Sequence, residues 1–196
     1  MISRIEHSLN LMRYIALLCS LCWLSGCHSF SESSKSSEPI RPAPLEVIQQ
    51  GSSRILGLSD LRSVADSDQI SLFDPVYGQQ KSYAGFWFTN MINGLEIRTQ
   101  EIKSIEFHCV DDYLSILSCE HGALEASSRA FLAFAETTPA KNHLREFAPL
   151  PNKSENAAPF YLVWTTAEGE APDPSAPETP WPYQVNKIVF RSTDQP

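Results

Sequence analysis

No stretch of this 196-residue chain is apolar for long enough to cross a bilayer as a helix, which takes about 20 residues; the longest mostly apolar run is Tyr14 to Leu24. Charge is also sparse, at 19% of residues against the usual ~25%. That excludes a polyelectrolyte, and the 42% hydrophobic content excludes a wholly disordered chain. Basic groups are the scarcer sign, 15 against 23 acidic, for a net charge of −8. A nucleic-acid binder carries the opposite balance. Cysteine is missing from the whole stretch between Cys27 and Cys109. No phosphate-binding loop, dinucleotide fingerprint or Ser nucleophile elbow occurs. What remains is chain enough for one ordinary domain with a core, and too little for two large ones.

Residues 1–26 read as a targeting segment, with Arg4 and Arg13 ahead of the short apolar run. The run ends in Leu24-Ser25-Gly26-Cys27, which resembles the lipobox of bacterial lipoproteins. The resemblance implies cleavage before Cys27, a diacylglyceryl group on its sulfur and an acylated amine. Several acyl chains anchor stably where one does not. The alternative is an ordinary signal peptide with a chance cysteine. By resemblance to enterobacterial sorting, a residue other than Asp after the lipidated Cys, here His28, implies the outer membrane, facing the periplasm. Processing removes Arg4, Arg13 and Glu6 and leaves 13 basic and 22 acidic residues. So acidic a body is held at a membrane by lipid, not by charge. Residues 27–44 carry the lipidated Cys and then six serines between Ser29 and Ser37, with Pro39, Pro42 and Pro44. That composition reads as a disordered tether, or else as a partner-binding motif.

Of five cysteines, Cys19 and Cys22 leave with the signal, so their spacing is no redox motif. Cys109 and Cys119 remain. In an oxidising compartment they form one candidate disulfide, worth roughly 2–3 kcal/mol. A tight turn at Asp111-Asp112 argues the other way, since residue 109 then faces 114 and not 119. Two buried thiols are the alternative.

The folded domain spans 45–196. A short helical turn over 60–64 follows Ser59 as its cap. Ile70 to Phe73 is a strand stopped by Asp74-Pro75. Phe88, Met91, Ile92 and Leu95 form one helical stripe, with Gly94 near its end. Ile105, Phe107 and Cys109 alternate with Glu106 and His108 as a half-buried strand. Ala130 to Phe134, Phe160 to Trp164 and Ile188 to Phe190 complete the strands. Five prolines between Glu168 and Pro182 mark a loop. Strands mixed with two short helices, without regular βαβ spacing, predict an α+β fold with a mixed β-sheet.

Four segments in order resemble the molybdopterin-binding domain of the sulfite oxidase family, with small periplasmic single-domain members the nearest in form. They are Asp74-Pro75-Val76-Tyr77 followed by Tyr83-Ala84-Gly85-Phe86 and the helix to Ile92; Ile105 to Tyr113; Pro159 to Trp164; and Trp181 to Val185 leading into Ile188-Val189-Phe190. The resemblance implies a sulfite-oxidase-like fold over about 70 to 191. It also implies molybdenum held by a Cys thiolate about a dozen residues before the aromatic-x-Gly stretch, a place occupied here near Phe73. Cys109-Val110-Asp111-Asp112-Tyr113 resembles the string around that metal-binding Cys and keeps Cys109 as the alternative ligand, although the Gly-containing stretch then precedes the Cys instead of following it. An anion site for the pterin phosphate needs positive groups or free N–H donors, and the basic residues are few and scattered.

Other constellations have plainer readings. His108, His121 and His143 with Asp111 and Asp112 are candidate metal ligands, but His108 and Cys109 point to opposite faces of a strand. Asp111 and Asp112 are an acid/base pair or, more simply, a polar hairpin turn, in which Asp112, standing where the family pattern has Gly, takes a left-handed backbone. Trp164, Trp181 and Tyr183 read as core or rim packing ahead of a ligand stack. The expectation is a lipid-anchored periplasmic protein on a molybdopterin-binding-like domain without the metal-ligand Cys. It acts as a binding or assembly module beside a redox or assembly partner protein. A molybdenum-cofactor oxidoreductase using Cys109, or a structural envelope lipoprotein, are the alternatives.

Overall fold

The computed structural model describes residues 41–119, 129–138, 143–165 and 179–192. The signal, Cys27, most of the tether, His121 and residues 166–178 of the proline-rich loop lie outside the described residues.

The chain enters through a hairpin. β1 (Leu45–Gln49) and β2 (Ser52–Leu56) are joined by Gln50 and Gly51, both at positive φ (50° and 76°). Such a two-residue turn matches the twist of the strands. α1 (Leu58–Val64) follows, with Gly57 as its N-cap. The expected cap was Ser59. Instead the Asp60 carboxylate accepts the Gly57 N–H at 2.8 Å, and Ser59 lies within the first turn. β3 (Asp68–Asp74), β4 (Gln79–Trp87) and α2 (Phe88–Gly94) precede β5 (Ile102–Cys109) and β6 (Leu114–Ser118). β7 (Ala130–Thr138), β8 (His143–Arg145), β9 (Tyr161–Trp164) and β10 (Val185–Ser192) complete the described elements. None of the described helices is long and apolar enough to cross a membrane.

The fold is α+β, mostly strands, but there are two sheets where one was expected. The first runs β2-β1-β10-β5-β6; the second runs β3-β4-β7-β8, with β9 also paired to β7. Only β1 and β10 are parallel in the first sheet, and the second is antiparallel throughout. β1, β2, β4, β6 and β8 are the strands that sequence reasoning missed. Four of them have five residues or fewer, too short to announce themselves through a run of apolar residues, and nine-residue β4 opens on the polar Gln79-Gln80-Lys81-Ser82, which hides it.

One cluster of buried apolar side chains joins both sheets and both helices. The α2 stripe is as expected: Phe88, Met91, Ile92 and Leu95 are all buried. Phe88 meets the rings of Phe107 on β5 and Phe190 on β10 at 5.6 and 6.4 Å. Two glycines permit this packing. A Cβ on Gly85 would sit 2.3 Å from the Leu132 carbonyl oxygen, and one on Gly94 1.8 Å from that of Val64. The first lets β4 and β7 close at a register shift; the second lets α2 end against α1.

Candidate functional site

Asp74 ends β3, and Pro75 after it has no N–H to continue the ladder. The carboxylate turns inward and is fully buried. Its Oδ1 accepts from the Val76 and Tyr77 N–H groups at 2.8 and 3.0 Å and from the Tyr161 hydroxyl at 3.3 Å. Its Oδ2 accepts from the Tyr83 hydroxyl at 2.6 Å. Around it the rings of Tyr83 and Tyr161 meet edge-on at 5.8 Å, with Tyr77, Phe147 and Trp181 each within 6.5 Å of Tyr161. Burial, then the Asp74 charge and hydrogen bond, hold the Tyr83 and Tyr161 hydroxyls well above the usual phenol range. Tyr77 is raised by burial, then by Glu136 and Asp74. These hydroxyls stay protonated and donate.

Beside this cluster Lys81 and Glu136 are also buried. Lys81 Nζ lies 2.6 Å from Glu136 Oε1, and Arg145 Nη2 2.6 Å from Oε2. The Ala148 N–H donates to Oε1 at 2.9 Å, and Lys81 rests 4.0 Å from the centre of the Tyr77 ring. Glu136 thus faces two cations, whereas Asp74 is met by N–H and O–H donors. Nothing in the sequence pattern flagged it: Lys81 stands in the polar run Gln79-Gln80-Lys81-Ser82, where a lysine reads as solvent-facing. The cluster fastens β3, β4, β7, β8 and β9 together.

The sequence-predicted residues are not gathered into one place. Phe73 lies on β3 with its side chain about half exposed (49%). Cys109 and Cys119 are both free thiols. The register explains it: Cys109 faces Tyr113 (N–H to carbonyl 2.9 Å), while Cys119 is level with Lys103 (2.7 Å). Six residues of β5 separate those levels, roughly 20 Å at strand rise, and a disulfide needs Cα atoms within about 7 Å. The loop is one residue longer than expected, residues 110–112 in place of 111–112, so that 109 pairs with 113 and not 114; Asp112 adopts φ 63° and closes this three-residue loop. That left-handed Asp112 was anticipated.

His108 lies on β5, its Nε2 3.1 Å from Glu106 Oε2. Glu106 also takes two hydrogen bonds from Arg191 at 2.8 and 3.0 Å, which hold its carboxyl below the usual range. His143 lies on β8 of the other sheet. Among the described residues no three His, Cys, Asp or Glu side chains converge as metal ligands. Trp164 is buried and donates Nε1 to the Pro180 carbonyl. Trp181 is buried too, its Nε1 without a partner among the described residues, and Tyr183 accepts from Lys153 at 2.9 Å on the rim. A groove of about 480 Å³ opens between Arg62, Asp68, Gln69, Ala84, Phe134 and Leu144; Arg62 is stacked over the Phe134 ring at 5.4 Å.

Phe73 has no lone pair to offer a metal, so it does not fit a molybdenum ligand. The Cys109 thiol is buried, and burial, then the charge of Asp111, pushes it up to about 12. The four segments that resemble the molybdopterin-binding domain are nonetheless brought together. The second and fourth pair as β5 and β10, the first and third flank β7 as β4 and β9, and the third meets the fourth through Val185 N–H to the Phe160 carbonyl at 2.8 Å. No family model matches the chain, and no curated protein is significantly similar to it.

Proposed function

We propose that this is a lipid-anchored periplasmic protein whose domain has the sulfite-oxidase-like molybdopterin-binding fold but does not hold the metal, and which acts as a binding or assembly module beside a redox or assembly partner. The observation that carries the reading is Phe73, an aromatic ring without a lone pair where the resemblance calls for sulfur, while Cys109 lies buried on a strand of the other sheet. The Asp74 and Glu136 carboxylates support it further, because both are buried and hydrogen-bonded on both oxygens, which suits a structural role better than acid–base chemistry. The Leu24-Ser25-Gly26-Cys27 string supports the anchor.

The test is to produce the chain from residue 28 in a cell that makes molybdenum cofactor, purify it, and measure bound molybdenum and pterin. A folded, metal-free product is the expected outcome. Stoichiometric molybdenum that disappears on Cys109→Ser would overturn the proposal in favour of an oxidoreductase.

A further inference from the structure

The groove of about 480 Å³ between α1 and the second sheet has an apolar floor and a charge of each sign on its rim. In the floor, Ala84 and Phe134 are buried and Leu144 is half-buried. A bulge puts Phe134 there. Ala84 pairs with Ala135 and Gly85 with Ala133, so Phe134 is the extra residue of β7, and a bulge re-aims the side chain it carries. Phe86 braces its ring at 5.5 Å. The Arg62 guanidinium lies over the same ring at 5.4 Å. Stacking fixes the plane of an arginine and leaves its N–H edges free to donate; among the described residues no hydrogen bond or ion pair takes them up. Asp68 lines the same groove. Its Oδ1 accepts the Gln69 N–H at 2.7 Å and its Oδ2 the Trp87 Nε1–H at 2.9 Å. Both donors are neutral, so the carboxylate is oriented while its charge stays unanswered among the described residues.

We propose that this groove binds a small zwitterion with an apolar body, of the amino-acid or dipeptide class, its carboxylate on Arg62 and its ammonium on Asp68. The two charges select the ligand. A guanidinium fork matches a carboxylate through two parallel hydrogen bonds. A phosphate would meet the repulsion of Asp68 as well as the attraction of Arg62, and a simple cation the reverse. A molecule with one charge of each sign satisfies both. The floor of Ala84, Phe134 and Leu144 takes the apolar body, and the volume falls within the ~300–1,000 Å³ usual for small-molecule sites. Arg62 and Asp68 are both exposed, where a single ion pair binds weakly, so recognition needs both charges together with the apolar contact. The site rests on the binding-module reading for its use; the groove and its charges do not depend on it.

The experiment titrates the full chain, purified from membranes in detergent, by isothermal calorimetry. The ligands are leucine and leucyl-leucine, the N-acetyl and the C-terminal amide form of each, and inorganic phosphate. Saturable binding of leucine or leucyl-leucine is expected, the tighter of the two fixing the ligand as an amino acid or a dipeptide. Capping either end is expected to weaken it roughly tenfold, and the capped ligands test both charges without altering the chain. Arg62→Met keeps a long side chain over Phe134 and is expected to bring the parent ligand down to the level of its amide. Asp68→Asn keeps an acceptor for Trp87 Nε1 and is expected to bring the parent down to the level of its acetyl form. Both positions are exposed, so the near-ultraviolet circular dichroism is expected to be unchanged. No saturable binding of either zwitterion, capped forms as tight as their parents, or discrimination that survives both variants would overturn the proposal. So would phosphate that binds more tightly than either zwitterion and is lost in Arg62→Met, since the groove would then be an anion site. Molybdenum in a chain that still takes the zwitterion would sink the vacant-scaffold reading alone, and a metal-free chain that takes neither ligand would sink the groove site alone.

Discussion

The Lys81 ammonium lies 2.6 Å from the Glu136 carboxylate and 4.0 Å from the centre of the Tyr77 ring, with both charged residues buried. In such a place the pair is worth less than the damage done by splitting it. Glu136→Gln leaves Lys81 charged and uncompensated, and is expected to cost about 3–5 kcal/mol. Lys81→Met is expected to cost less, because Arg145 and the Ala148 N–H still serve Glu136. Urea unfolding of the two variants measures the difference; equal midpoints would show that Arg145 contributes nothing to Glu136.

Asp74 draws one donor from each of two tyrosines, and the distances rank them. Tyr83→Phe removes the 2.6 Å bond and leaves Oδ2 with no other donor among the described residues. It is expected to lower stability by about 1.5–3 kcal/mol, the range for a hydrogen bond to a charged group. Tyr161→Phe removes the 3.3 Å bond to Oδ1, which keeps two backbone donors, and is expected to cost under half as much. Thermal unfolding followed by near-ultraviolet circular dichroism reads both, and the reverse order would mean that Tyr161 is the principal partner.

Some of this interior was legible in the sequence, and the difference is physical. α2 could be read because Phe88, Met91, Ile92 and Leu95 share one face, a periodicity carried by neighbouring residues alone. The β5–β6 turn could be read, though not its length, because Asp111 and Asp112 are turn-forming residues directly after an alternating strand. The Asp74 cluster could not: its tyrosine partners stand 9 and 87 residues away, and nothing local distinguishes a tyrosine that donates to a buried acid from one that merely packs. Lys81 looks like a solvent-facing strand residue until β7 and β8 bring Glu136 and Arg145 to it. The two-sheet division was hidden for a related reason, since it depends on β4, whose first four residues are polar, and on short strands defined by what they pair with. Gly57 displaced Ser59 as the α1 cap because the Asp60 side chain could reach back to it, a choice the chain makes only once the turn is formed.

Gly94 is conspicuous for what it excludes. A methyl group there would lie 1.8 Å from the Val64 carbonyl oxygen, so α1 and α2 must separate before Ala fits. Because the obstruction is backbone, relief by side-chain rotation is closed, and Gly94→Ala is expected to destabilise by about 3 kcal/mol, the upper end for overpacking. At Gly51 nothing lies within 4 Å of the added Cβ, but φ is +76°, so Gly51→Ala is expected to cost only about 1 kcal/mol. Chemical denaturation that finds Gly51→Ala the more harmful of the two would contradict the close approach of the helices.

Cys109 and Cys119 titrate late for one shared reason. Burial raises Cys109 from 9.0 to about 12, with Asp111 adding to it, and raises Cys119 from 9.0 to about 11. The folded state therefore holds its protons more tightly than the unfolded chain does. Their contribution to stability is whole below pH 9 and is lost as the pH climbs from there toward 11 and 12. At pH 8 both thiols are expected to react slowly with iodoacetamide in the folded protein, the half-buried Cys119 ahead of the buried Cys109, and both to react fully in urea. Mass spectrometry of the time course distinguishes the two sites. Rapid alkylation of Cys109 in the folded chain would mean an accessible thiolate, and would restore it as a candidate metal ligand.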